Sequence, residues 1–296
     1  MDRLVTGIVP PMVTPLSADG AIDRAALAGE VEYLLDRGVH GLCVTGSTGE
    51  GHALSDEEVA EVARVVVAAV RGRVPVLGGV IRNSTRTAVR CAQGLRAAGV
   101  DALQVTPVHY LFAPDGDATI VYYRTIGAAT GLPVYVYNVI PWAAIEPAVL
   151  LRLFAEVPAV AGVKQSGGDM HKLADLLAAV DPHHAVLSAV DDLLLPSFVL
   201  GAQGAIAAVL TAAPAQAVAL WDAVRAGRLD DARRLHATLL ALWRALEGPN
   251  MPARLKVALE LQGRRGGLPA QPQAAVGPAE RDTLRRTLGA AGLLRV

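Results

Sequence analysis

The sequence predicts a (β/α)8 barrel, the TIM-barrel fold, with extra helices at its C-terminal end. Eight short apolar runs alternate with longer helical patterns, and roughly 70 residues remain after the last unit. Parallel strands buried on both faces read as unbroken apolar runs, and their alternation with helices marks an α/β fold. The expected division is a barrel over 1–226 and a helical extension, packed on it, over 227–296.

The strand runs are Gly7–Thr14, Gly41–Thr45, Pro75–Val80, Ala102–Thr106, Pro133–Tyr137, Val160–Lys164, Ala185–Ala189 and Gly204–Val209. Leu27, Val31, Leu34 and Leu35 form a helical stripe closed by Gly38. Ser55 and Glu58 fit a capping box ahead of Val59, Val62, Val66 and Val67. Gly99 suits the end of a helix over Thr85–Ala98, and Pro147 the first turn of another. Leu173, Leu176, Leu177 and Val180 give a further buried face. The competing fold is an open doubly wound sheet. It calls for a glycine-rich phosphate turn, and neither GxGxxG nor GxxxxGK[ST] occurs.

Leu193–Trp221 carries no charge over 29 residues. Pro196, Gly201, Gly204 and Pro214 interrupt it and its flanks are acidic, so a buried helix followed by a buried strand explains it better than a membrane span. Leu229–Leu246, Pro252–Leu261 and Pro278–Gly292 read as the extra helices, with Gly263–Gly277 as a loop.

The 296 residues are 52% hydrophobic and 19% charged, an enzyme-like balance, with formal net charge −1. Such a balance excludes a broad nucleic-acid or anionic-membrane footprint. Only 4% of residues are aromatic, too few for a base-stacking platform. The start of the chain does not read as a signal peptide, because two close prolines replace a long apolar core. Cys43 and Cys91 cannot build a disulfide framework, which fits reduced thiols in the cytoplasm.

In barrels of this kind the site lies at the C-terminal ends of the strands. Gly46-Ser47-Thr48-Gly49-Glu50, His109-Tyr110, Tyr137-Asn138, Lys164 and Asp191-Asp192 stand there. Lys164 is the sharpest signal. Of 27 basic residues only Lys164, Lys172 and Lys256 are lysines, and Lys164 lies in an apolar strand. Burial disfavours the ammonium form of such a lysine, and a neutral amine attacks carbonyls to form a Schiff base. The alternative is a lysine that reaches a strand end or pairs with a remote carboxylate. Tyr135 and Tyr137 share one face of their strand. Tyr137 is either a proton shuttle beside the lysine or a core tyrosine. The Gly46–Glu50 turn offers hydroxyls and backbone N–H groups able to hold a carboxylate. The loops after strands seven and eight lack a phosphate cradle. No metal is expected, since no HxxxH, HExxH or CxxC spacing exists.

Several motifs in one order carry a family resemblance. They are Thr14-Pro15-Leu16 with Asp19-Gly20 and Asp23, Gly46-Ser47-Thr48-Gly49-Glu50, Val105-Thr106-Pro107, Tyr137-Asn138-Val139, Gly162-Val163-Lys164, Gly201-Ala202-Gln203-Gly204-Ala205-Ile206, and Pro249-Asn250 with Pro252 and Lys256. From about Gly7 to Leu294 the chain resembles the dihydrodipicolinate synthase / N-acetylneuraminate lyase family of pyruvate-dependent aldolases and lyases. The resemblance implies that Lys164 condenses with the ketone of pyruvate or another 2-oxo acid, and that Tyr137 shuttles protons. It implies that Ser47, Thr48 and the backbone from Gly46 hold the carboxylate, with Ser47 standing where the synthases place a relay threonine. Ile206 would pack beside the bound acid. No cofactor is implied, because the protonated imine is the electron sink. A homodimer or homotetramer is implied, its site completed across subunits.

Two departures concern the second substrate. The synthases place an arginine a few residues past the strand-five tyrosine to bind aspartate semialdehyde, and Trp142 stands there. Tryptophan cannot make a bidentate carboxylate pair. The family shows two tyrosines after Thr-Pro, whereas this chain has Val108-His109-Tyr110, so His109 or Tyr110 would take the role that reaches a neighbouring site. The expected function is therefore a Schiff-base lyase or aldolase whose acceptor is not aspartate semialdehyde. The alternatives are 4-hydroxy-tetrahydrodipicolinate synthase proper, a 2-oxo-acid dehydratase or deaminase using the same lysine, and a non-catalytic 2-oxo-acid-binding barrel.

Overall fold

A computed structural model describes residues 4–295. Eight parallel strands form one sheet: β1 (Gly7–Ile8), β2 (Leu42–Val44), β3 (Val76–Val80), β4 (Ala102–Val105), β5 (Val134–Asn138), β6 (Val160–Gln165), β7 (Ala185–Ser188) and β8 (Gly204–Ala205). Each pairs with its sequence neighbour, and β1 pairs with β8. The ring closes between β1 and β2 through the parallel bridge Pro11–Cys43, with Cys43 N–H donating to Pro10 O at 3.0 Å and Met12 N–H to Cys43 O at 2.8 Å.

Two strands, β1 and β8, fall short of their apolar runs by several residues. The ladder of β1 stops at Ile8 because Pro10 and Pro11 have no N–H to continue it, although the chain runs on beside β2. The run Gly204–Val209 is strand only to Ala205, and Ala208–Ala212 is helical. An unbroken apolar run has no period that separates buried strand from buried helix.

The helices before β8 are α1 (Arg24–Leu35), α2 (Asp56–Val70), α3 (Thr85–Ala98), α4 (Gly116–Thr130), α5 (Pro147–Glu156), α6 (Met170–Ala179) and α7 (Leu194–Val199). After it come α8 (Ala208–Ala212), α9 (Pro214–Arg225), α10 (Leu229–Leu246), α11 (Met251–Leu261) and α12 (Pro278–Ala290). The local signals act as their chemistry requires. Ser55 and Glu58 make both halves of the capping box of α2, and Gly99 ends α3 at φ 90°. The uncharged stretch is α7, β8, α8 and most of α9, and among the described residues no helix is long and apolar enough to cross a membrane.

Three clusters make the core. One lies between the strands and α1–α6. A second joins β1, β8 and α7–α9 to α10–α12, so the C-terminal helices share a core with the barrel. The third fills the interior with Val9, Cys43, Leu77, Tyr135, Leu187 and Ile206. The Tyr135 hydroxyl accepts from Val5 N–H at 2.7 Å, which ties the segment before β1 across the N-terminal end of the barrel.

Candidate active site

Tyr137 and Lys164 are direct partners across β5 and β6, so both side chains enter the barrel at one level. Both are buried, and Lys164 Nζ lies 3.9 Å from the centroid of the Tyr137 ring. The Tyr137 hydroxyl donates to Ser47 Oγ at 3.1 Å. An amine, a phenol and an alcohol, drawn from β6, β5 and the turn after β2, are thus brought together, the amine over the face of the ring and the phenol hydrogen-bonded to the alcohol. Leu187, the β7 partner of Lys164, and buried Ile206 belong to the apolar cluster of the barrel interior.

The turn that carries Ser47 is closed by its own backbone. Glu50 N–H donates to Ser47 O at 3.1 Å and Gly51 N–H to Gly46 O at 3.0 Å. The amides of Ser47 and Thr48 take no acceptor among the described residues and are free to hold an anion. Thr48 is buried, and Thr14 Oγ1 ties the turn down by donating to Gly49 O at 2.7 Å.

The other expected site residues gather on the rim. His109 N–H and Tyr110 N–H both donate to Asn83 Oδ1 at 3.0 Å, and Trp142 Nε1 donates to His109 O at 2.8 Å. The loops after β3, β4 and β5 are thereby linked. Tyr110 and Trp142 are 70% and 71% exposed. A cavity of about 190 Å³ lies beside Trp142, with Pro107, Val108, Pro114, Ile145 and Val149 among its walls.

The sequence places Asn138 and Asp191 at the strand ends without giving them a role, and gives no signal for Gln104 or Gln165. Asn138 donates to Gln165 Oε1 at 2.9 Å and to Ile145 O at 2.9 Å, and accepts from Ile145 N–H at 2.8 Å. It locks β5 to β6 one residue beyond Tyr137 and Lys164, and pins the base of the Trp142 loop. Asp191 is buried and accepts from Val209 N–H at 2.7 Å, which fixes the chain after β8. Burial pushes its carboxyl up to about 7, against the pull of that N–H and of Lys164. Asp192 instead pairs with Arg244 at 2.9 Å. Gln104 is fully buried inside the barrel. Its Oε1 lies 3.5 Å from Cys43 Sγ, and its Nε2 has no partner among the described residues. Burial pushes the Cys43 thiol up to about 11.

Arg82, Arg254 and Arg264 are each engaged. Arg82 binds Asp56 and the carbonyls of Gly51, Leu54 and Ile81; Arg254 binds Glu280 and Asn250; Arg264 forms a buried pair with Glu30. Among the described residues no cluster of three or more His, Cys, Asp or Glu side chains is arranged to hold a metal.

The chain is a barrel enzyme of the lyase class, as its relatives show. The chain matches the dihydrodipicolinate synthetase family over residues 4–291. It is 33% identical over 293 residues to the 4-hydroxy-tetrahydrodipicolinate synthase of Methanopyrus kandleri, covering 98% of this chain and 97% of that one. It is 36% identical over 293 residues to an uncharacterised DapA-like lyase of Halobacterium salinarum, covering 97% and 94%. Its fold superposes with a TM-score of 0.93 on the dihydrodipicolinate synthase of Aquifex aeolicus, at 26% identity and 98% and 100% coverage. It superposes with a TM-score of 0.92 on YagE, a prophage protein of Escherichia coli K12 solved in complex with pyruvate, at 30% identity and the same coverage. The chain belongs to the dihydrodipicolinate synthetase family.

Proposed function

We propose that this chain is a cytoplasmic Schiff-base lyase or aldolase that acts on pyruvate or another 2-oxo acid through Lys164, with an acceptor other than aspartate semialdehyde. The observation that carries the reading is the buried Lys164 amine beside the Tyr137 ring, with the phenol hydrogen-bonded to Ser47. The amine adds to the ketone carbon and the carbinolamine loses water to give a protonated imine. That imine withdraws electrons from C3, so a C3 proton can leave, or a C3–C4 bond can form or break, without a cofactor. Tyr137 moves the protons and passes them to Ser47. The free amides of Ser47 and Thr48 receive the substrate carboxylate. Ile206 walls the imine.

The choice of acceptor rests on the rim. Trp142 offers an indole where a carboxylated acceptor needs a cation, and Arg82, Arg254 and Arg264 already hold carboxylates or carbonyls. The cavity beside Trp142, with Val108, Ile145 and Val149 as well as Glu146 among its walls, offers no cation and so supports an acceptor with an uncharged or aromatic end. Tyr110, Leu111 and Phe112 project nearby, up to 83% exposed, which supports a dimer or tetramer that covers them. A second reading, 4-hydroxy-tetrahydrodipicolinate synthase itself, is favoured by the names of the relatives.

Borohydride trapping with pyruvate, followed by peptide mapping, tests the central step. A stable adduct on Lys164 is expected. An adduct only with longer 2-oxo acids would favour dehydration or deamination, and none with any 2-oxo acid would leave a binding barrel. An acceptor panel that includes aspartate semialdehyde then separates the two readings.

A further inference from the structure

The turn after β2 is held in a shape that its own residues do not favour. Thr45 and Glu50 lie at φ 53° and 56°, a region L side chains seldom adopt. A side chain at position 51 would put Cβ 1.8 Å from Thr45 O, and one at position 49 would put it 2.9 Å from Met12 O. The turn is therefore tightly closed on itself and on Met12, with no room for side chains at 49 and 51, and contacts beyond its own backbone hydrogen bonds help to hold its strained residues.

The far side of the turn meets the C-terminal extension. The Glu50 carboxylate is buried, with 3% of its side chain exposed, and it receives the Lys256 ammonium from α11. Glu50 also accepts from Ala270 N–H at 2.8 Å, and Lys256 Nζ donates to Leu268 O at 2.7 Å. Lys256 is one of three lysines in the chain and is 1% exposed. The partners are 206 residues apart in sequence. Burying two charges gains little stability over an apolar pair of the same volume, and in some proteins such a buried pair serves instead to specify one register between two segments. The same Glu50 whose side chain is clamped donates its backbone N–H to Ser47 O, so a shift of the clamp is transmitted directly to the residues beside the anion-binding amides.

We propose that Lys256 and Glu50 are positioning residues for the 2-oxo-acid carboxylate: the C-terminal extension, through this buried pair, sets the turn that presents Ser47 and Thr48. The inference rests on the reading of that turn as the carboxylate site. It makes the extension a component of substrate binding as well as a part of the core.

The test compares the parent with Lys256→Met and with the double variant Lys256→Met/Glu50→Gln, which removes both charges but keeps an acceptor for Ala270 N–H. Each is titrated with pyruvate and trapped with borohydride, and its melting temperature is measured. Parent trapping on Lys164 is the control for the underlying reading; its failure would remove that reading and this inference together. With the control satisfied, the double variant should melt near the parent. Its half-saturation for pyruvate should rise about tenfold, and its trapped fraction at saturation should fall less than about threefold. A double variant with parental half-saturation would overturn the proposal and leave the pair as packing alone. Should both variants fail to fold, amide exchange on the parent decides the matter. Segments 46–51 and 266–271 should gain protection together when the pyruvate adduct forms, and protection confined to 46–51 would overturn the inference.

Discussion

The Tyr137 hydroxyl donates to Ser47 Oγ at 3.1 Å, although the two residues are 90 positions apart. The contact joins the end of β5 to the turn after β2 across the barrel mouth. It gives the phenol a proton acceptor in the turn after β2. Tyr137→Phe should therefore keep the pyruvate adduct on Lys164 while slowing turnover by ~10²–10⁴-fold. Single-turnover rates beside trapping yields check this, and an unchanged rate would reduce Tyr137 to a core residue.

Lys164→Arg should abolish both trapping and turnover. Guanidinium stays protonated, and a cation without a lone pair cannot add to a ketone. Mass mapping after borohydride reads the result, and turnover surviving in this variant would end the imine assignment.

Trp142→Ala should leave pyruvate trapping within about twofold of the parent and raise KM for the productive acceptor about tenfold, as expected when an aromatic wall is lost. Trp142 projects from the rim and is held through His109 O, so its removal spares the buried lysine. Equal effects on both substrates would place the indole in general loop support.

The Asp191 carboxyl is raised from 3.8 to about 7, chiefly by burial. The folded state thus holds this proton more tightly than the unfolded chain. The contribution of Asp191 to stability falls as pH rises from about 4 towards 7 and is flat above that. Asp191→Asn keeps an acceptor for Val209 N–H and does not ionise. Its melting temperature relative to the parent should be higher at pH 8 than at pH 5, and a pH-independent difference would contradict the burial cost.

Gln104 Nε2 is buried without a protein partner among the described residues. An unsatisfied buried donor costs about 1–3 kcal/mol, so Gln104→Leu should raise the melting temperature of the unliganded protein by a few degrees. A fall would mean that the amide is satisfied by internal water.

Local chemistry was legible from the residues alone. The capping box of Ser55 and Glu58, the glycine that ends α3 and the apolar runs of the central strands depend on neighbours a few positions away. The end of β8 was not, because an all-apolar run concealed the switch to α8. The end of β1, by contrast, is marked by Pro10 and Pro11, whose missing N–H groups stop a ladder that the apolar run alone would extend. Tyr135 and Tyr137 show the limit most plainly. Two residues apart on one face of a strand, one binds Val5 at the N-terminal end of the barrel and the other meets Ser47 in the turn after β2.

Residue order alone established a parallel barrel with a solitary strand lysine, because burial on both faces and the near-absence of lysine elsewhere are written in composition and periodicity. Tertiary structure decided which groups meet: Ser47 with Tyr137, Glu50 with Lys256, Asn138 with Gln165, and Asp191 with the chain after β8. The physical reason is closure. Hydrogen bonds and ion pairs act over a few ångströms, and only the closed ring of strands brings residues up to 206 positions apart within that reach.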